Sequence, residues 1–205
     1  MPETITFTAY HFAELNEAAK KKALEHFRDI NTDYDQWADF ILEDWKEEKL
    51  PALGYNDAKI FYSGFSSQGD GASFSAHVDI LKWIEVHKYK TTRYAALYKF
   101  VKKTGSQITA TICISRHGHY CHEMTMSAAV DGHLYNDVPD PVTKQGDEIA
   151  EEITARARAV ARSIYQTLES EYFAMIKDEA VQDAIEANEY LFTENGKFVP
   201  QAQGV

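Results

Sequence analysis

The sequence is short of cysteine, short of basic residues relative to acids, and short of glycine except in one place. Cys113 and Cys121 are the only cysteines in 205 residues, which excludes a disulfide framework as the source of stability. Twenty-one Lys and Arg stand against thirty-two Asp and Glu, a formal charge of −11. That balance opposes non-specific attraction to nucleic-acid phosphates and to anionic membranes, so neither is expected as a partner. No apolar run approaches the ~18 residues of a membrane-spanning helix, and the first residues lack the basic-then-apolar plan of a signal peptide. An intracellular, cytoplasmic protein is expected. Neither a Walker loop nor a dinucleotide-binding glycine pattern is present, and nothing calls for a cofactor. What the chain does have is 44% apolar and 13% aromatic residues, enough for a substantial core. Of its ten glycines, Gly64, Gly69 and Gly71 fall within eight positions.

Periodicity divides the chain into helices and strands. Leu15, Ala19, Ala23 and Phe27 repeat at helical spacing, and a second stripe of Tyr34, Trp37, Ile41 and Trp45 runs up to Pro51, expected as its stop. Asn31, Thr32 or Asp33 can cap it. Residues 58–65 and 71–80 read as strands flanking the glycine-rich stretch, the second alternating Phe74, Ala76 and Val78 against Ser73, Ser75 and His77. Helical spacing returns over 92–103, with Gly105 as a stop. Residues 130–146 carry the turn residues of a long exposed loop. A long helix follows, with Ile149, Ile153, Val160, Ile164 and Leu168 on one side, then a shorter one from Asp178 to Asn188. Asn195-Gly196 signals a two-residue hairpin. These elements predict an α+β fold: an antiparallel sheet of about four strands with helices packed on one face, in a single domain, residues 1–11 and 200–205 being mobile tails.

A sharper expectation concerns residues 107–130. A hairpin turning at 116–118 places Ile108, Ala110, Ile112 and Ile114 opposite Met126, Met124, His122 and Tyr120 on an apolar face. The other face then carries Thr109, Thr111, Cys113 and Ser115 opposite Thr125, Glu123, Cys121 and His119, and Ser73, Ser75, His77 and Asp79 extend it. A sheet face of small polar groups is either covered or used to hold a ligand. Cys113, Cys121, His119 and Glu123 would lie within zinc-binding reach of one another, but they match no recognised metal motif, and no metal is expected.

The glycine-rich stretch 61–80, "FYSGFSSQGDGASFSAHVDI", is the place to look for binding. Glycine lets backbone N–H groups approach another molecule with no Cβ in the way, and the serines, Gln68 and Asp70 supply donors and acceptors there. The expected ligand-binding residues are Ser66, Ser67, Gln68, Gly69, Asp70 and Ser73, joined by His119, Tyr120 and Glu123. The alternative is a turn whose glycines and aspartate serve backbone geometry alone. Lys20, Lys21 and Lys22 read as a solvated face. Arg158 and Arg162 also read as helix surface, able to grip a phosphate only if that surface faces the glycine loop.

"FYSGFSSQGDGASF", "HGHYCHEMTMS" and "AIEANEYLFTENGKF", in that order, resemble the recurring motifs of a family of uncharacterised proteins from tailed phages and prophages. The resemblance implies a phage protein acting in a bacterial cytoplasm and brings no catalytic residue with it. Three functions are therefore weighed. The first is a binding protein that captures a small polar or nucleotide-like ligand or blocks a host defence protein. The second is a phosphodiester or nucleotide hydrolase using His119 or His77 with Asp70, Asp79 or Glu123. The third is an acidic interaction inhibitor with no pocket.

Overall fold

A computed structural model describes residues 8–105, 109–114, 120–131 and 139–200. The chain falls into two compact units, residues 39–169 and, built from both ends of the chain, residues 1–38 with 170–205. The fold is α+β.

The larger unit holds a four-stranded antiparallel sheet in the order β2-β3-β4-β5, formed by Asn56–Tyr62, Ala72–Asp79, Thr109–Ile114 and Met126–Asp131. As the alternation predicts, Phe74, Ala76, Val78, Ala110, Ile112 and Met126 are buried, whereas His77 and Cys113 on the other face are exposed. The buried face is matched by apolar helix positions: Ile80, Trp83 and Ile84 of α4 (Ile80–Val86), Leu97 and Val101 of α5 (Ala95–Thr104), and a row from α6 (Asp140–Met175). In α6 that row is Ile149, Ile153, Ala157, Ala161, Ile164 and Leu168. Val160, expected in it, is only half-buried.

The β4–β5 register differs from expectation. Ile112 lies opposite Ala128 rather than His122, and Cys113 opposite Ser127 rather than Cys121. The turn expected at 116–118 lies outside the described residues, as does His119, but Tyr120 to Thr125 do not belong to the strand. Glu123–Thr125 form a 3-10 turn instead, packed against β3. The Cys113–Cys121 opposition behind the zinc geometry is therefore gone.

Three other expectations in the larger unit need correction. Helix α4 was not anticipated; it starts directly from β3 because the Asp79 side chain accepts from Lys82 N at 2.9 Å, which caps the first turn. Residues from Asp140 onward, read as part of a loop, are the first turns of α6. The second helix, α2 (Gln36–Asp44), does not stop at Pro51 but continues through a π turn, Trp45–Lys49, into α3 (Leu50–Ala52). The wider turn, in which Leu50 N donates to Trp45 O, carries the helix into the segment where proline brings no N–H. Gly54, at φ +90°, then ends it.

In the smaller unit, Ala19 and Ala23 of α1 (Glu17–His26) and Val181 and Ile185 of α7 (Asp178–Ala187) pack with Phe12, Leu15 and Phe192. Tyr10–His11, expected within a tail, form β1, which pairs with β6 (Leu191–Phe192), itself paired with β7 (Phe198–Val199). The β6–β7 turn has three residues rather than two. Thr193 and Lys197 close it, and Gly196 takes the left-handed position at φ +77°.

Candidate functional site

The glycine loop begins where the β2–β3 ladder ends, closed by Ser63 N donating to Gly71 O at 3.1 Å. Its interior is organised by one carboxylate. Asp70 Oδ2 accepts from Ser66 N at 2.9 Å and Ser67 N at 2.6 Å, and Asp70 N donates to Ser67 O at 3.1 Å. These backbone donors, Ser67 first and then Ser66, hold the Asp70 carboxyl below its ordinary range, with help from the nearby Ser63 hydroxyl. Asp70, expected to face a ligand, thus faces its own loop, and Ser66 and Ser67 contribute their amides to it.

The glycines answer to a second segment. A Cβ on Gly69, which lies at φ +105°, would sit 2.2 Å from the Tyr120 ring, and one on Gly71 would sit 2.5 Å from His122 Cα. The loop therefore admits only glycine where the 120–125 segment crosses it. Close approach, rather than left-handed backbone, is the reason at Gly71, which has no positive φ.

That segment is itself held from several sides. His122 Nδ1 accepts from Met124 N at 3.2 Å, and Thr125 N and Oγ1 both donate to His122 O, at 3.1 and 2.8 Å. One side of α6 does the rest. Arg158 donates to Met126 O through Nε at 3.1 Å and Nη2 at 2.8 Å, Arg162 Nη2 donates to Glu123 Oε1 at 3.0 Å, and Tyr165 Oη donates to Gly64 O at 3.2 Å. The Phe65 ring packs on Tyr165 at 5.5 Å between centroids. Positions 158, 162 and 165 share a helix face, so one surface fastens both the glycine loop and the segment that crosses it.

Between them is a cleft of about 460 Å³ lined by Gln68, Gly69, Asp70, Tyr120, His122, Glu123 and Met124. Five expected binding residues meet there: Gln68, Gly69, Asp70, Tyr120 and Glu123. Ser66 and Ser67 stand beside it. Ser73 is not in it but buried in β3, its hydroxyl without a hydrogen-bond partner. His77 is exposed on the sheet opposite Thr111. His122, expected to be a core histidine, lines the cleft, and Met124 beside it is exposed.

The polar groups of the cleft divide into engaged and unengaged. Asp70 serves the loop amides and Glu123 serves Arg162. Among the described residues, the Gln68 amide, the Tyr120 hydroxyl and His122 Nε2 make no hydrogen bond. Because Nδ1 of His122 accepts a backbone N–H, the neutral ring carries its proton on Nε2 and presents a donor. Among the described residues no group of three or more His, Cys, Asp or Glu is placed to hold a metal ion, and no helix is long and apolar enough to cross a membrane.

A family model, described as a domain of unknown function (DUF8835), matches residues 37–178. The chain belongs to this family. The matched region contains the whole cleft and the α6 residues that fasten it. No curated protein and no solved structure matches the chain.

The DUF8835 region also holds a polar cluster on α6 that sequence reading missed. Tyr89 Oη donates to Glu152 Oε1 at 3.0 Å, Arg156 Nε donates to the same oxygen at 2.8 Å, Arg156 Nη2 also meets the Tyr89 hydroxyl, and Arg93 pairs with the other carboxylate oxygen. Burial pushes the Glu152 carboxyl up, but the hydrogen bonds from Arg156 and Tyr89 and the Arg93 charge outweigh it and hold the group below its ordinary range. Nearby Tyr55 is raised to about 12 by burial, and burial and then the Arg156 charge push His87 down. The cluster ties the α4–α5 connection to α6. Glu152 and Arg156 at i, i+4 could be read as a helix pair, but no local pattern pointed to Tyr89.

Proposed function

We propose that this protein is a binding protein that holds a small polar ligand in the cleft between the glycine loop and the 120–125 segment. The observation that carries the reading is the convergence of two motifs far apart in sequence on one preformed cleft, whose unengaged groups are an amide, a phenol and an imidazole N–H. A planar polar molecule can lie against the half-exposed Tyr120 ring while Gln68 and His122 Nε2 hydrogen-bond to its edge. In the phage setting implied by the motif resemblance, the ligand is a small molecule of the bacterial host.

Among the described residues of the cleft, the commitments of the polar groups favour binding over hydrolysis; of the histidines named for hydrolysis, His77 lies on the sheet outside the cleft and His119 lies outside the described residues. A histidine acting as general base needs a free ring-nitrogen lone pair facing the substrate, and on His122 that lone pair is spent on Met124 N. Asp70 and Glu123 are likewise committed, to amides and to a guanidinium. The decisive experiment incubates the protein with a small-molecule extract of bacterial cytoplasm and identifies by mass spectrometry what denaturation releases. The expected result is one intact polar compound, retained by wild type and lost from a Gln68→Ala, Tyr120→Ala variant whose melting temperature is unchanged. Retention of nothing, or release of a cleaved product, would overturn the reading.

A further inference from the structure

The smaller unit has a concave site of its own, about 500 Å³, lined by Lys22, His26, Asn195, Gly196, Lys197 and Phe198. Its residues come from two elements locked together at one point. A Cβ on Gly196 would stand 2.2 Å from Ala19 O, so the tip of the β6–β7 turn lies directly on the backbone of α1, as only glycine allows. That contact sets Asn195 and Lys197, on either side of Gly196, next to Lys22 and His26, which follow one another at i, i+4 on the helix. Phe198 lies nearly parallel to the His26 ring, 28° between planes and 6.2 Å between centroids, and gives the site an apolar wall.

This site gathers positive charge in an acidic chain. In a protein of net charge −11, Lys20 of the same unit is paired with Glu17, and Arg28 with Glu25 and Asp178, while Lys21 and Lys177 form no ion pair among the described residues and do not line this pocket. Among the described residues Lys22, His26 and Lys197 have no carboxylate partner, and no acid lines the pocket. Two ammonium groups, an imidazole and the Asn195 amide therefore surround an apolar wall with no protein counter-charge. Lysine ammoniums act as separate point charges and suit a compact dianion better than a planar carboxylate, which favours the guanidinium fork.

We propose that this pocket binds a phosphate monoester carrying a flat organic group, the phosphate held by Lys22, Lys197 and His26 and the flat group resting on Phe198. The site is independent of the cleft in the DUF8835 region. The test is an amide and imidazole NMR titration of the full chain at low salt with inorganic phosphate, a nucleoside monophosphate and the corresponding nucleoside. The Asn195 and Gly196 amides and the His26 ring signals should move with both phosphate-bearing probes, more tightly with the monophosphate and not with the nucleoside, and binding should weaken as salt is added. A Lys22→Gln, Lys197→Gln variant should lose affinity roughly tenfold or more with an unchanged melting temperature. Stationary Asn195, Gly196 and His26 signals in all titrations overturn the proposal. So does a response confined to the residues of the other cleft, or binding that survives in the double variant.

Discussion

The two hairpins of the sheet make an instructive pair. In β2–β3 the strands fall close to where alternation and the glycine stretch set them, and the loop between them closes on Ser63 and Gly71. In β4–β5 the same reasoning errs by six residues: Ile112 meets Ala128 where His122 was expected. The faces survive the error because six is even. A shift of one residue exchanges buried and exposed sides, while an even shift leaves every side chain on its own face, so Met126 still points into the core with Ala110 and Ile112. Alternation thus fixes which side a residue faces and leaves open which residue it faces. In β4–β5 the offset comes with outside contacts, because Arg158 on the Met126 carbonyl and Arg162 on Glu123 hold residues 123–126 in place. The residues withdrawn from the strand became one wall of the cleft.

The strongest way to break this arrangement is Gly71→Val. Its side chain would meet the His122 backbone, which cannot step aside as a flexible side chain would, and unfolding by urea should show a loss of about 3 kcal/mol. Gly69→Ala should also destabilise, and removing the opposing ring with Tyr120→Ala should restore part of the loss; a strictly additive double-mutant cycle would refute the proposed crossing of loop and segment.

Asp70→Ala comes next. It leaves two loop amides without their acceptor, and about 1 kcal/mol should be lost. Asp70 thus has the scaffold role that the alternative reading of the stretch as a turn assigns to it. The pH dependence follows from the sign of the shift. A carboxyl held below its ordinary range binds fewer protons folded than unfolded, so its contribution is complete above the ordinary carboxylate range and disappears as pH falls through the lowered value. Melting curves of wild type and Asp70→Asn should therefore converge in acid and diverge towards neutrality.

Arg158→Ala should cost somewhat less than about 1 kcal/mol, yet it should speed hydrogen exchange of amides 122–126 more than those of β3, because it releases the crossing segment alone. Arg162→Ala, which breaks an ion pair with an exposed guanidinium, should change stability by under about 0.5 kcal/mol. The smallest effect on stability gives the sharpest reading of register. In Cys121→Ser, Ser127→Cys protein, a short thiol cross-linker should join Cys113 to the new cysteine. In the wild-type chain it should not join Cys113 to Cys121, and efficient linkage there would restore the rejected register.

Much of the candidate site was legible because its residues are locally odd. Three glycines in eight positions, with serines, Gln68 and Asp70 among them, have few explanations other than close approach or a tight turn, and both hold here. Tyr120 and Glu123 were named on the wrong register and still arrived at the cleft. His122 was misplaced because it lies outside the strand, as the cap of the 3-10 turn, where strand parity does not apply. Arg158, Arg162 and Tyr165 carry no local oddity, and what they hold lies between 32 and 101 residues away along the chain.

By itself the sequence determined the helices with long apolar periods, the alternation that buries one face of the sheet, the position of the glycine loop and the absence of a cysteine scaffold. These depend on residues within a few positions of one another, where helical and strand periods act directly. Tertiary structure decided the β4–β5 offset, the crossing of Tyr120 and His122 over Gly69 and Gly71, the turning of Asp70 onto its own loop and the meeting of Lys22 with Lys197. Each of these is a choice among local states of similar energy, settled by a partner distant in the chain.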